Sequence, residues 1–418
     1  MYRKIVLEIL GFSLIMVSCG MTQPSIDESQ DNKSVPAIMV TDNNQDLQKL
    51  IADNNQFAFD LYGQLKNNSG NLFFSPYSIS TALAMTYAGS RNNTEKEMAQ
   101  VMRYTLEQNK LHSAFSRLQV GLTEIQKKGD VKLAVANALW PHINYKFLPE
   151  YIELNRRFYG AKITNLDYVN STEAARLTIN DWVDNKTSGK IKDLIAPDIL
   201  DPLTRLVLTN AIYFKGDWAE KFNKELTKPI KFSLSKTEQK DVQTMFQKGE
   251  FNYQDAETVK VLELPYKGND LSMIVILPKE IDGLTSLEKS LTAEQVAKWT
   301  SNLKKMEVNV FLPKFSITSQ FGLSDTLKQM GMKDAFTFAA DFSGMDGTTD
   351  LMITAILHKA FVAVDEEGTE AAAATAVVVG LKSMPMFEEF RADHPFFFLI
   401  RENASGSILF LGRVADPA

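Results

Sequence analysis

Cysteine and histidine are scarce in this chain of 418 residues. The only cysteine is Cys19, which excludes an intramolecular disulfide, a CxxC redox pair, a cysteine-rich zinc site and an iron–sulfur centre. The four histidines, His112, His142, His358 and His394, form no HExxH or HxH pair. We therefore expect neither a metal site nor a cofactor.

Sequence motifs of common enzyme classes are absent as well. The chain has no GxSxG elbow, no GxxxxGK(S/T) loop and no GxGxxG after a strand pattern. Carboxylates are numerous, but no spacing singles out an acid–base pair, and His358 lies in an apolar run that favours a hydrogen-bonded core histidine. These features argue against an enzyme. The net charge of −6 argues against nucleic-acid binding, which usually needs a basic surplus.

Long apolar runs are missing after residue 18, since none reaches the length of about 18 residues that a membrane helix needs. The first residues are different. Arg3 and Lys4 form a short basic start, and the stretch from Ile5 to Val17 is apolar except for Glu8. This pattern is typical of a secretory signal core.

The end of this apolar stretch, Met16-Val17-Ser18-Cys19, resembles a bacterial lipobox. We therefore predict a signal peptide over residues 1–18, lipidation of Cys19, and a polar tether over residues 19–45. Gly20 rather than an aspartate follows the cysteine, so retention in an inner membrane has no support. We therefore expect a lipid-anchored protein of a bacterial cell envelope, in the outer membrane or at the cell surface. An ordinary secretory signal with an incidental cysteine, or a short N-terminal anchor, is the alternative.

From about Asp46 onward, helix and strand patterns mix without an internal repeat or a long linker, which predicts a single domain over residues 46–418. One helical face is predicted at Leu47, Ile51, Phe57, Leu61 and Leu65, and Ser75-Pro76 opens a second helix. Strand-like runs are predicted at 131–139, 206–214, 271–277, 308–312, 361–364, 395–399 and 408–411. Helices crowd the first half and strands the second, which indicates an α+β fold.

The segment 366–386 has an unusual composition, in which a run of four alanines is followed shortly by a run of three valines. Read as a strand, it places only small or β-branched side chains on one side, at Thr369, Ala371, Ala373, Thr375, Val377 and Val379. No proline occurs between Gly368 and Met384, so the segment could enter the middle of a sheet without losing ladder hydrogen bonds. Its composition alone fits a low-complexity surface loop equally well.

Seven motifs, in order from about residue 46 to the C-terminus, resemble the serpin family of serine protease inhibitors. They are Asn71–Ile79, Ile179–Val183 with Thr187–Ile191, Leu208–Trp218, Pro313–Phe315, His358–Ala360, Glu366–Ala373, and Phe390–Phe396 with Phe410–Val414. The resemblance implies three β-sheets, eight or nine helices and an exposed reactive-centre loop. It also implies a mechanism in which a protease cleaves the loop, and the cut loop enters the central sheet A as a new strand.

The resemblance also assigns roles to residues. The loop hinge would be formed by Glu366, Glu367, Gly368, Thr369, Glu370, Ala371, Ala372, Ala373, Ala374 and Thr375. The breach and shutter, where sheet A opens, would be formed by Lys314, Trp218, Ser75, Ser78, Asn210 and His358. Lys314 and Glu366 are expected to pair beside Trp218.

Counting along the loop locates the reactive bond that the resemblance implies. With Glu366 as the first residue, the seventeenth is Lys382, which gives Lys382-Ser383 as the cleaved bond. Seventeen extended residues span on the order of 55 Å, enough to carry an attached protease far from its docking position. Without this count, Lys382 reads as a solvated loop charge.

A lysine at the reactive bond suits a trypsin-like serine protease as partner. Leu381 and Met384 leave room for chymotrypsin-like cleavage, and Val377–Val379 for elastase-like cleavage. The sequence thus favours a monomeric suicide inhibitor of serine proteases. The alternative is a non-inhibitory serpin that acts as a carrier or chaperone. A bulky residue, a charge or a proline at the inward-facing hinge positions would support that alternative, because it would block insertion. The sequence has none there.

Overall fold

The computed structural model describes residues 44–369 and 388–417. Within these ranges the α-helices are α1 Asn44–Leu65, α2 Pro76–Tyr87, α3 Asn92–Val101, α4 Gln108–Lys127, α5 Pro149–Tyr159, α6 Thr172–Lys186, α7 Leu284–Ser290, α8 Ala293–Ser301, α9 Ser324–Met330 and α10 Ser343–Asp346. Two 3-10 helices span Lys224–Leu226 and Asp334–Phe336. The ten α-helices exceed the expected eight or nine because helices of four to seven residues are included. None of the described helices is both long and apolar enough to cross a membrane.

Fifteen strands form two hydrogen-bonded sheets in the described residues. They are β1 Leu72–Phe74, β2 Val131–Pro141, β3 Lys162–Ile163, β4 Leu206–Asp217, β5 Lys228–Ser233, β6 Gln239–Asp255, β7 Val259–Pro265, β8 Leu271–Pro278, β9 Lys304–Pro313, β10 Phe315–Gly322, β11 Ala355–Val364, β12 Gly368–Thr369, β13 Glu388–Arg391, β14 Phe396–Glu402 and β15 Ile408–Val414. The expected α+β architecture is confirmed.

The nine-stranded sheet is continuous because β6 is long enough to serve two groups of strands. Its first part pairs with β5, its middle with β9, and its last residues with β7. One group therefore contains β5, β9 and β13, and the other contains β7, β8, β14, β15 and β1. Together with the six-stranded sheet, these two groups make the three sheets that the resemblance implies.

The six-stranded sheet has the order β10-β11-β12-β4-β2-β3. β4 pairs antiparallel with β2 over eleven residue pairs, and β11 pairs antiparallel with β10 over eight. The central neighbours β4 and β11 are instead parallel, and they pair directly over Val207–Tyr213 and Ala355–Phe361. Beyond that stretch, β12 lies between them.

Hydrophobic packing distinguishes the two faces of this sheet. Leu208, Ile212, Ala360 and Val362 face the main core, which also contains α1 and α2. Alternate residues on the same strands, such as Val207, Ala211 and Leu357, pack with α6 in a second, smaller core on the outer face. The strict alternation along β4 and β11 fixes which residues of an added strand would point inward.

Helix α2 packs at the centre of the main core. The Ser75 side chain caps its start by accepting a hydrogen bond from the Ser78 amide at 3.1 Å, and Pro76 occupies the first turn. All twelve residues of the helix are buried. The predicted opening of a helix at Ser75-Pro76 is confirmed, and its cap contributes to the site described next.

Candidate functional site

The feature that defines the site is the short strand β12, which lies between the C-terminal ends of β4 and β11. We call this end of the two strands the upper end. Thr369 pairs with Val364 of β11 on one side and with Gly216 of β4 on the other, and both pairings are antiparallel. The chain therefore leaves β11, turns at residues 365–367, and comes back into the sheet that it has just left. Two residues of the hinge already form part of the six-stranded sheet.

Both residues of β12 fit tightly into this position. A Cβ atom on Gly368 would lie 2.2 Å from the Gly216 carbonyl oxygen and 2.6 Å from the Asp217 Cα, and its φ of +155° also favours glycine. Thr369 is completely buried, and its hydroxyl is 2.9 Å from the hydroxyl of Tyr266. Larger side chains at either position would be excluded by sterics.

The turn before β12 buries two adjacent carboxylates, and the first of them is Glu366. Lys314 Nζ donates to Glu366 Oε2 at 2.8 Å, and the Thr227 hydroxyl donates to Oε1 at 2.8 Å. Burial acts to raise the pKa of the Glu366 carboxyl, but the hydrogen bonds from Lys314 and Thr227 outweigh it and hold this pKa below its usual value. Glu366 is thus an ionised group in the turn next to β12, where β4 and β11 separate.

The second carboxylate, Glu367, is held by two other lysines. Lys221 Nζ lies 2.6 Å from Glu367 Oε2, and Lys224 Nζ lies 2.9 Å from Oε1. The hydrogen bond from Lys221, reinforced by that from Lys224, lowers the pKa of Glu367. We call Glu367, Lys221 and Lys224 the hinge clamp.

Trp218 ties the turn to the end of β4. Its ring stacks on Tyr266 with centroids 4.8 Å apart, and its indole N–H donates to the Asp365 carbonyl at 3.0 Å. Its backbone N–H donates to the Glu367 carbonyl at 2.9 Å, and the Phe222 amide donates to the Glu366 carbonyl at 2.8 Å. The residues that follow β4 therefore bind both the backbone of the turn and the carboxylate of Glu367.

A buried polar cluster lies further down, where β4 and β11 pair directly. The Ser75 amide donates to His358 Nε2 at 3.1 Å, so this nitrogen is the acceptor and the proton lies on Nδ1. Nδ1 donates to Asn210 Oδ1, and the Asn210 amide group donates to Ser78 and Asn137. The hydrogen bond between His358 and Asn210 joins the two strands beneath the sheet.

Burial keeps His358 neutral. Its side chain is completely inaccessible to solvent, and this desolvation lowers its pKa to about 3. A second proton on Nε2 would also face the Ser75 N–H, which is itself a donor. The prediction that His358 is a hydrogen-bonded core histidine is therefore confirmed.

The structure brings the described site residues together in two groups along the line between β4 and β11. Glu366, Glu367, Gly368, Thr369, Lys314 and Trp218 lie at its upper end, and Ser75, Ser78, Asn210 and His358 lie lower down. The hinge positions 370–375, the bond Lys382-Ser383 and Cys19 lie outside the described residues. The first four hinge residues are buried, because the turn and β12 pack into the sheet.

Sequence reasoning missed several residues of this site. Lys221, Lys224 and Thr227 lie in the connection from β4 to β5, about 140 residues before their carboxylate partners, and Tyr266 lies about 100 residues before Thr369. No short motif links residues at such separations. The sequence signal available was indirect: two adjacent glutamates at the start of a segment able to enter a sheet need cationic partners.

Comparison with known proteins assigns the family. A family model described as serpin (serine protease inhibitor) matches residues 52–417. The human leukocyte elastase inhibitor is 44% identical over 384 residues, which cover 89% of this chain and 100% of that protein. The crystal structure of Serpin48 from the insect Tenebrio molitor covers 90% of this chain and 100% of its own, with a TM-score of 0.81 and 35% identity.

A third relative shows that the same fold has been solved with a small ligand. The crystal structure of human thyroxine-binding globulin in complex with thyroxine covers 89% of this chain and 100% of its own, with a TM-score of 0.82 and 32% identity. The chain described here belongs to the serpin family. The family description is that of inhibitors of proteases rather than of catalysts.

The buried His358 predicts a specific pH dependence of stability. The pKa of His358 is about 3 in the folded protein, against about 6.5 for an unperturbed histidine. Between these values the unfolded chain binds a proton that the folded protein does not, so acidification destabilises the fold by about 1.4 kcal/mol per pH unit. His358→Gln keeps a donor and an acceptor but does not titrate.

Denaturant unfolding between pH 7 and pH 5 checks this expectation. The variant should lose less stability than the parent protein as the pH falls, even if it is less stable at pH 7. Equal slopes for the two proteins would show that His358 does not control the acid response.

Proposed function

We propose that the protein is a suicide inhibitor of serine proteases that traps them by inserting its cleaved loop between β4 and β11. The single observation that carries this proposal is β12, which pairs antiparallel with both neighbours. Two parallel strands can accept one antiparallel strand between them with every backbone group paired. The first residues of that strand are in place before any cleavage.

Extending the register of β12 shows what insertion requires. Counting back from the pairs of Thr369 with Gly216 and Val364, residue 375 would reach the level of Asn210 and His358. The strand would have to separate the direct pairs of β4 and β11 and the hydrogen bond that joins His358 to Asn210. The inward positions would be Ala371, Ala373 and Thr375, whose small side chains fit a closed core.

The target class remains a serine protease, and two preferences compete. The predicted reactive bond Lys382-Ser383 favours a trypsin-like enzyme. The relative described as a leukocyte elastase inhibitor favours an elastase-like enzyme, which Val377–Val379 could serve in a shifted frame. We propose that both kinds of protease are trapped, at different bonds of one loop.

The attachment of the protein is also part of the proposal. The lipobox-like sequence ending at Cys19 supports a lipidated bacterial protein of the cell envelope, in the outer membrane or at the cell surface, that acts as a monomer. Residues 19–45 would hold the inhibitor away from the lipid. This anchoring stays a prediction from the sequence.

Substitution at the reactive bond separates the two protease preferences. Lys382→Ala removes the side chain that would enter a trypsin-like pocket, so complex formation with trypsin should slow at least about a hundredfold, as for loss of a charged anchor. Trapping of elastase should be unaffected. Denaturing gels measure the complex, and mass spectrometry of the released C-terminal peptide locates the bond. Clipping by both proteases without a boiling-resistant complex would favour the carrier or chaperone alternative.

Substitution at the hinge tests strand insertion, because Thr369 lies inside the sheet from the first step. Thr369→Arg would place a charge in a fully buried position beside Tyr266, at a cost of several kcal/mol. Insertion should stall, whereas the loop should be cleaved at the parental rate, so the variant becomes a substrate. Thr369→Ser keeps the hydroxyl and should trap normally. Full yield of covalent complex from Thr369→Arg would contradict strand insertion.

A further inference from the structure

The hinge clamp is a built arrangement that the insertion mechanism does not by itself require. Glu367 is only 2% exposed, yet its two carboxylate oxygens are shared between two different lysines, at 2.6 and 2.9 Å. The lysines themselves are more accessible, with about a third and a half of their side chains exposed. The charge of the carboxylate is thus matched entirely from the connection between β4 and β5.

That connection also binds the backbone of the turn. Trp218 and Phe222, on either side of Lys221, donate their amides to the carbonyls of Glu367 and Glu366. Ion pairs and backbone hydrogen bonds from this connection therefore both hold the three-residue turn next to the end of β4. Because β12 follows directly, the position of the turn sets the register of Gly368 and Thr369 in the sheet.

The start of an added strand is its least favourable step. The first residues lose backbone entropy while they gain only a few hydrogen bonds, whereas each later residue extends a ladder that already exists. After cleavage, insertion competes with hydrolysis of the acyl-enzyme. A contact that keeps the first residues in place before cleavage would speed insertion without touching the protease.

We propose that Lys221 and Lys224 are positioning residues that, through Glu367, keep the first step of strand insertion complete in the uncut protein and so favour trapping over hydrolysis. This inference rests on the proposed inhibitory function. It assigns the two lysines a role distinct from that of Lys314, whose partner is Glu366. It also makes the inhibitor sensitive to ionic strength at this point, because the lysines are accessible to solvent ions.

The test compares Lys221→Gln/Lys224→Gln with the parent protein in two measurements. Hydrogen exchange of the peptide containing residues 365–369 should become about fivefold faster, as for loss of weak ion pairs, because the hinge leaves the sheet more often. The moles of inhibitor consumed per mole of trypsin or elastase trapped should rise about twofold or more, with an unchanged rate of loop cleavage.

Two control variants separate positioning from general charge effects. Lys231→Gln/Lys236→Gln removes the same charge and two ion pairs, with Asp241 at 3.0 Å and Asp282 at 2.8 Å, that do not involve the hinge, and should behave like the parent. Lys221→Arg/Lys224→Arg keeps the charges and should restore slow exchange and efficient trapping.

Three results would overturn the proposal: unchanged exchange in the Lys221→Gln/Lys224→Gln variant, faster exchange with unchanged consumption of inhibitor, or equal effects in the Lys231→Gln/Lys236→Gln control. A parent protein that forms no covalent complex with either protease overturns the proposed function instead. The exchange comparison then still decides whether the two lysines hold the hinge.

Discussion

The direct pairing of two parallel strands, β4 and β11, is the constraint on which the rest of the structure depends. The strands pair over seven residues and then part, and the space between their upper ends is filled by Gly368 and Thr369. Two adjacent parallel strands are stable, but direct pairing is not the only arrangement in which their backbone N–H and C=O groups are hydrogen-bonded. An antiparallel strand between them would pair with both, and the chain supplies its first two residues.

Polar groups lie above the upper end of this paired stretch and at its middle. At the upper end, two buried carboxylates are matched by three lysines and a threonine from separate connections. Lower down, His358 and Asn210 form a hydrogen bond across the strands, supported from α2 by Ser75 and Ser78. Buried polar networks are costly when incomplete, so each of them resists opening until new partners arrive. The apolar core on either side contributes stability but no such specificity.

Local sequence signals predicted much of the fold. Examples are the end of β8 at Pro278, the start of α2 after Ser75 and the alternation along β9. These features depend on the backbone preferences of single residues and on burial of one face, so residues close in sequence are enough to predict them. The hinge was harder to predict. The burial of Glu366 and Glu367 depends on lysines distant in the chain, and the composition of the segment fits a surface loop as well as a strand. Only the register of β12 distinguishes the two.

The melting temperature of the protein before and after cleavage of its loop tests the central claim most directly. In the proposed mechanism, insertion of the cut loop would add a fully paired central strand and bury its small apolar side chains, which would supply stabilisation that the uncut protein leaves unused. A protein nicked within residues 376–387 should therefore melt higher than the intact protein by an amount on the order of tens of degrees. Equal melting temperatures, with the loop fully cleaved, would show that no strand enters between β4 and β11.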